Sequence, residues 1–251
     1  MDLSTPETPP ETLSHQEVTR IFEITLTTGQ TASERFRACR DHTIYSIALM
    51  IGLRQHEIAA LTVGDVFDAG SRAREYVALR VFKGCRRAPR SKLRSKARGK
   101  ARSKRSAEQG TPVRAAQTVF LPHALRVKLE AFWRMKHAAN EALQPEAPLF
   151  VGRGGKPIST RTLRHWFHVW QRRAELPQAE PFNFHALRHT ACTEVYRQRR
   201  DLKETQAFAR HESPYTTSRY THPTRAEVNS SIDSAAATWD VPSARRWPVR
   251  R

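Results

Sequence analysis

Between positions 86 and 105 the chain carries eleven lysines and arginines and no acidic residue. Charge of one sign at that density repels itself and cannot be buried. The stretch "CRRAPRSKLRSKARGKARSKRSAEQG" therefore reads as a disordered basic loop, an insert over 84–114, and any core must come from the residues on either side. The flanks have strand character. "EYVALRVF" (75–82) and "AAQTVFLP" (115–122) are rich in β-branched and aromatic residues, and the second ends on a proline stop. They are expected to pair as a hairpin with the basic insert at its tip.

The rest of the chain has helical spacing. The first 13 residues, rich in Pro, Thr and Glu, read as a flexible lead-in, and Ser14 with Glu17 then forms an S-x-x-E capping box that starts a helix. "RFRACRDHTIYSIALMIGLRQHEIAAL" predicts a long helix, a break at Gly52 and a second helix. Beyond Pro122 come "HALRVKLEAFWRMKHA", then "STRTLRHWFHVWQRRAEL" capped by Ser159, "NFHALRHTACTEVYRQ" and "DLKETQAFAR". The expected fold is thus α+β, mostly helical with one small antiparallel hairpin. No internal repeat at solenoid periods is present.

Charge narrows the function classes. Forty-three Lys plus Arg against 24 Asp plus Glu leave a formal charge of +19, which points to a polyanionic partner, nucleic acid first. No apolar run approaches the length of a membrane-spanning helix, and the acidic, polar start has no signal-peptide pattern. Cys39, Cys85 and Cys192 are odd in number and lack metal-ligand spacing, so unpaired thiols in a reducing, cytoplasmic compartment are expected.

Five residues outside the hairpin stand out for their chemistry. His185 and Arg188 are three apart on a predicted helix and project from one face, so an acid–base group and a fixed cation could meet one phosphate. Arg54 follows the Gly52 break. His211 precedes Tyr220 by nine positions in "RHESPYTTSRYTH". Taken singly, each has an ordinary structural reading: a packed histidine, a surface ion pair, a half-buried phenol. The i, i+4 pair His185 and His189 also invites a zinc reading, but the zinc-protease pattern needs Glu after the first His, and that position is Ala186.

In this order and spacing, "GLRQHEI", "HALRH" and "RHESPYTTSRYTH" resemble the tyrosine recombinase (phage integrase) family, over roughly residues 14–224. The correspondence includes Arg54 with Glu57, His185 with Leu187, Arg188 and His189, then His211, Tyr220, Thr221 and His222. Lys83, ending a predicted strand before a glycine, matches the lysine that the family carries at a hairpin tip. The resemblance implies a catalytic domain over 14–224 with a tail over 225–251, and a site-specific recombinase or integrase of mobile elements. It also implies double-stranded DNA as partner, a homo-tetramer on DNA, and neither metal nor other cofactor. It further implies that Tyr220 is the nucleophile of a 3′-phosphotyrosine intermediate, that Arg54 and Arg188 clamp the phosphate with His185 and His211 beside them, and that Lys83 protonates the leaving oxygen.

Three departures bear on this expectation. Members of the family typically carry an N-terminal helical clamp domain, whereas here the catalytic pattern begins almost at once. The glycine usual before the second histidine is Arg210. The hairpin loop is far longer than is common. A DNA-binding regulator or accessory factor on the same fold, which does not recombine, is the alternative, with a topoisomerase-like relaxing enzyme behind it.

Overall fold

The structure, a computed structural model, describes residues 11–79, 117–177 and 181–218, together with Tyr220, Asn229 and Ile232. Lys83, Cys85, the basic insert, Thr221, His222 and most of the 225–251 tail lie outside them. Two compact units result, one over 11–192 and one from Thr193 onward.

The larger unit is helical with a single hairpin. Helix α1 (His15–Thr27) begins at the expected capping box, with the Ser14 Oγ accepting from Glu17 N and Glu17 accepting from Ser14 N. Leu13, at the end of the expected lead-in, is already buried, and its N–H donates to Thr190 Oγ1 at 2.8 Å. Helix α2 (Ala32–Met50) opens on a second capping box, Thr31 with Glu34, and is buried on every side from Arg40 to Ala48. A helix covered all round passes through the middle of its unit. Accordingly α2 packs against both α1 and α5 (His123–Ala138), while α6 (Thr160–Arg173) lies against α1 and against α3 (Gln55–Ala60). The short α4 (Val63–Val66) leads to the hairpin.

The charged residues that α2 buries have partners, whereas the buried Tyr45 hydroxyl has none among the described residues. Trp170 Nε1 donates to Asp41 at 2.8 Å, and Arg40 pairs with the same carboxylate at 2.8 Å. Lys128 donates to Nε2 of His42 at 2.7 Å, which leaves the ring proton on Nδ1, 2.9 Å from Thr25 Oγ1. Burial and Lys128 together hold the His42 pKa down at about 4.

Strands β1 (Tyr76–Leu79) and β2 (Gln117–Phe120) pair antiparallel as the sequence predicts, Tyr76 opposite Phe120 and Leu79 opposite Gln117. Val77, Leu79 and Val119 face the core, while Tyr76 and Phe120 form an aromatic pair on the exposed face. One helix, α7 (His185–Arg199), contains the division between the units. The smaller unit continues with α8 (Leu202–Ala209) and α9 (Pro214–Ser218), which pack on each other around Thr205, Ala209, Thr217 and Tyr220. No helix among the described residues is long and apolar enough to cross a membrane.

Candidate active site

The arginine cluster starts at a backbone break. After α2, Gly52 takes a left-handed conformation, φ 60°, which a residue without Cβ adopts at no steric cost. That turn leads the chain through Arg54 into α3. Glu57, its side chain fully buried, folds back on this entry and accepts from Arg54 N at 2.8 Å and from Arg54 Nη1 at 3.0 Å. One carboxylate thus caps the helix and orients the guanidinium, whose side chain keeps 13% of its exposure.

Arg188 reaches the same break from α7. Its side chain is buried at 1% exposure, and Nη1 donates to the Gly52 carbonyl. Asn183 Oδ1 accepts from His185 N at 2.8 Å at the start of α7, and the His185 ring meets that of His189 edge to face, centroids 4.5 Å apart. Burial first, then Arg188, Arg54 and His56, lower the His185 pKa to about 4, against an opposing pull from Glu57. A ring so placed is neutral at pH 7 and sits in the field of both arginines. Arg54, His185 and Arg188 are therefore gathered in the larger unit. His56, not singled out by the sequence reading, is half-buried in the same field, and burial lowers its pKa too. Its signal was only its place inside "GLRQHEI".

In the smaller unit, α8 ends in a Schellman motif: Arg210 N donates to Ala207 O at 3.1 Å and His211 N to Gln206 O at 3.2 Å. Arg210 occupies the left-handed position, φ 52° and ψ 46°. This is the position where the family's usual glycine would stand, and its conformation supplies the reason. Past the cap, Gln206 Nε2 donates to the His211 carbonyl at 3.1 Å, and His211 Nδ1 lies 3.0 Å from Thr217 Oγ1. Tyr220, 8% exposed, donates from N to the Thr217 carbonyl at 3.0 Å, and its ring lies nearly parallel to that of His211, centroids 6.1 Å apart. His211 and Tyr220 are thus neighbours here. Tyr215, by contrast, is 69% exposed.

Among the described residues no group of three or more His, Cys, Asp or Glu side chains could hold a metal ion.

Two arginines around a neutral histidine, and a tyrosine stacked on a second histidine, are spaced along the chain as a known family spaces them. The model of the phage integrase family matches residues 11–227. The chain belongs to that family. Its curated relatives include the tyrosine recombinase XerC of Bifidobacterium longum subsp. infantis, 38% identical over 90 residues, which are 35% of this chain and 24% of that one. The XerC of Methylobacterium sp. is 35% identical over 94 residues, 38% of this chain and 29% of the other. The matched stretch thus spans 24% and 29% of the length of these relatives. Among solved structures, XerA recombinase aligns with a TM-score of 0.60 at 18% identity, over 98% of this chain and 68% of the other. XerH site-specific recombinase, in a pre-cleavage complex with its difH substrate, aligns with a TM-score of 0.62 at 18% identity, over 95% and 57%. At such identities the likeness concerns the fold, a mostly helical recombinase catalytic domain with a small antiparallel sheet.

Proposed function

We propose that this chain is a site-specific DNA recombinase that cleaves and rejoins duplex DNA through a 3′-phosphotyrosine on Tyr220, with residues 14–224 as catalytic domain, 84–114 as a basic insert and 225–251 as tail. The observation that carries the reading is the clamp at the Gly52 break: Arg54 oriented by buried Glu57, Arg188 seated on the Gly52 carbonyl, and a neutral His185 in the field of both. Two oriented guanidiniums suit the non-bridging oxygens of a phosphodiester, whose charge grows in the transition state.

In the proposed reaction the Tyr220 oxygen attacks phosphorus, forming the P–O bond to tyrosine as the bond to the 5′-oxygen breaks. A phenol of ordinary pKa ~10 must lose its proton as it attacks. His185 takes that proton: burial and then the arginine charges hold its pKa down, and the arriving phosphate offsets the arginine part, so the ring becomes a stronger base when substrate is bound. Lys83 protonates the departing 5′-oxygen, and His211 hydrogen-bonds the phosphate. The phosphotyrosine conserves the bond for a second strand, so the reaction requires no metal or nucleotide. Synapsis of two duplexes implies a homo-tetramer on DNA, and the +19 charge supports binding to a polyanion.

The test is incubation with a nicked duplex carrying the target sequence, followed by denaturing electrophoresis. The parent protein should give a covalent adduct, and Tyr220→Phe should give none while binding the duplex within about twofold of the parent, since the hydroxyl acts only in the reaction. An adduct that survives Tyr220→Phe but is lost in Tyr215→Phe would transfer the nucleophile to Tyr215. DNA binding without any adduct would make the chain a regulator or accessory factor.

A further inference from the structure

The cleavage chemistry leaves unused two fully buried threonines of the smaller unit: Thr205, whose hydroxyl donates to the Asp201 carbonyl at the cap of its own helix, and Thr217. Thr217 is 0% exposed, in a run "SPYTTS" whose other described hydroxyl residues lie at or near the surface. Its Oγ1 lies 3.0 Å from Nδ1 of His211, and its carbonyl accepts from Tyr220 N at 3.0 Å. A single residue therefore holds a histidine by its side chain and a tyrosine by its backbone. The histidine is already fixed at its main chain, where its N–H meets the Gln206 carbonyl and its carbonyl meets Gln206 Nε2. The bond to Thr217 restrains the ring itself.

The direction of that bond follows from burial. Among the described residues, Nδ1 of His211 is the hydrogen-bond partner of the Thr217 hydroxyl. If Oγ1 accepted from Nδ1–H, the hydroxyl proton would be left buried without an acceptor, which costs more than an unfilled lone pair. Donation from Oγ1–H to Nδ1 avoids this, and it places the imidazole proton on Nε2. With Nδ1 committed, any bond from the ring to substrate is made through Nε2, as a donor. A phosphate oxygen is an acceptor, so this tautomer suits it.

We infer that Thr217 is a positioning residue for strand transfer: its hydroxyl sets His211 in the Nε2–H tautomer, facing phosphate as a donor, and its carbonyl anchors the nucleophilic tyrosine. The inference rests on the function proposed above. It assigns Thr217 no contact with substrate.

The test uses the full chain as parent, Thr217→Val, Thr217→Ser and, as a control on the exposed neighbour, Thr216→Val. The first readout is the ¹⁵N chemical shifts of the His211 ring, which report the tautomer without DNA or turnover. The parent and Thr217→Ser should show the Nε2–H form, and Thr217→Val a mixture. The second is the single-turnover rate of adduct formation on nicked duplex at saturating DNA. That rate should fall about tenfold or more in Thr217→Val, recover to within about threefold in Thr217→Ser, and stay unchanged in Thr216→Val, with duplex affinity within about twofold throughout. A purely structural threonine would leave the ring shifts of Thr217→Val like the parent's, and that result overturns the inference. So does a Thr217→Val rate equal to the parent's, or a folded Thr217→Ser as slow as the valine variant. If the parent forms no adduct, the proposed function fails while the ring shifts still decide what Thr217 does to His211.

Discussion

Arg188 reaches across 136 positions of sequence to donate to the Gly52 carbonyl, whereas the bonds described for His211 stay within six positions of it. The arginine clamp is made by tertiary packing: a helix break after α2, a buried carboxylate in α3 and a fully buried guanidinium from α7. The histidine–tyrosine pair is made by local geometry, through a Schellman turn, one glutamine amide and one threonine in a five-residue helix. The difference teaches how a reaction of this kind divides its demands. In the proposed reaction, the groups that would stabilise charge without moving are fixed by the core, where reorganisation is small. The proposed nucleophile, Tyr220, sits on a segment whose described bonds are close in sequence.

The comparison breaks most visibly at Glu57. Glu57→Ala removes a buried carboxylate from two Arg54 donors and leaves a partly buried guanidinium without its partner, so a loss of about 3 kcal/mol is expected in urea denaturation. Adduct formation should vanish with it. If the same substitution costs no more than Thr217→Val, the clamp is not held by the core as described.

A smaller effect follows from protonation. His42 and His185 have their pKa values lowered from 6.5 to about 4 in the folded protein, so between those values the unfolded chain binds protons that the native one does not. Stability is then fully present above about pH 6.5 and is lost as pH falls toward 4. Denaturant midpoints at pH 7.5 and pH 5 should show the drop. His42→Gln should lower the midpoint at pH 7.5 yet flatten its dependence on pH, which assigns part of the slope to the buried ring beside Lys128.

The smallest effect lies in the smaller unit. Arg210→Gly relieves a side chain from a left-handed conformation, and a gain of up to about 1 kcal/mol is expected, part of it offset by the greater freedom of glycine in the unfolded chain. Thermal denaturation measures it. A loss instead would mean that the Arg210 side chain supplies more than the turn demands.

Much of this was legible from residues alone, for identifiable reasons. The capping box at Ser14, the Ser159 cap and the Gly52 break are encoded within four residues of themselves, and β1 and β2 announce themselves by composition; the equally local Thr31 box was passed over. The three-residue spacing from Arg54 to Glu57 was legible as part of the family pattern, while the bonds between the two came only with the fold. The role of Thr217 was not legible, because the two adjacent threonines, Thr216 and Thr217, are alike until a fold buries one and exposes the other. His56 was missed for a similar reason: its approach to Arg188 depends on how α3 and α7 pack, which no local pattern records. Arg210 appeared as a departure, and only the Schellman geometry shows what the usual glycine is for.

The Gly52 turn has a consequence for genetics. A side chain introduced there must hold a left-handed backbone at a cost of roughly 1–2 kcal/mol, a sizeable share of the stability of an ordinary domain but seldom all of it. The carbonyl that this turn presents is the one on which Arg188 leans. Gly52→Ala would therefore weaken one turn and, through it, an arginine 136 residues away, sparing the protein when cool and failing it when warm. A screen for temperature-conditional alleles of this gene should recover lesions at a residue that has no side chain and touches no substrate.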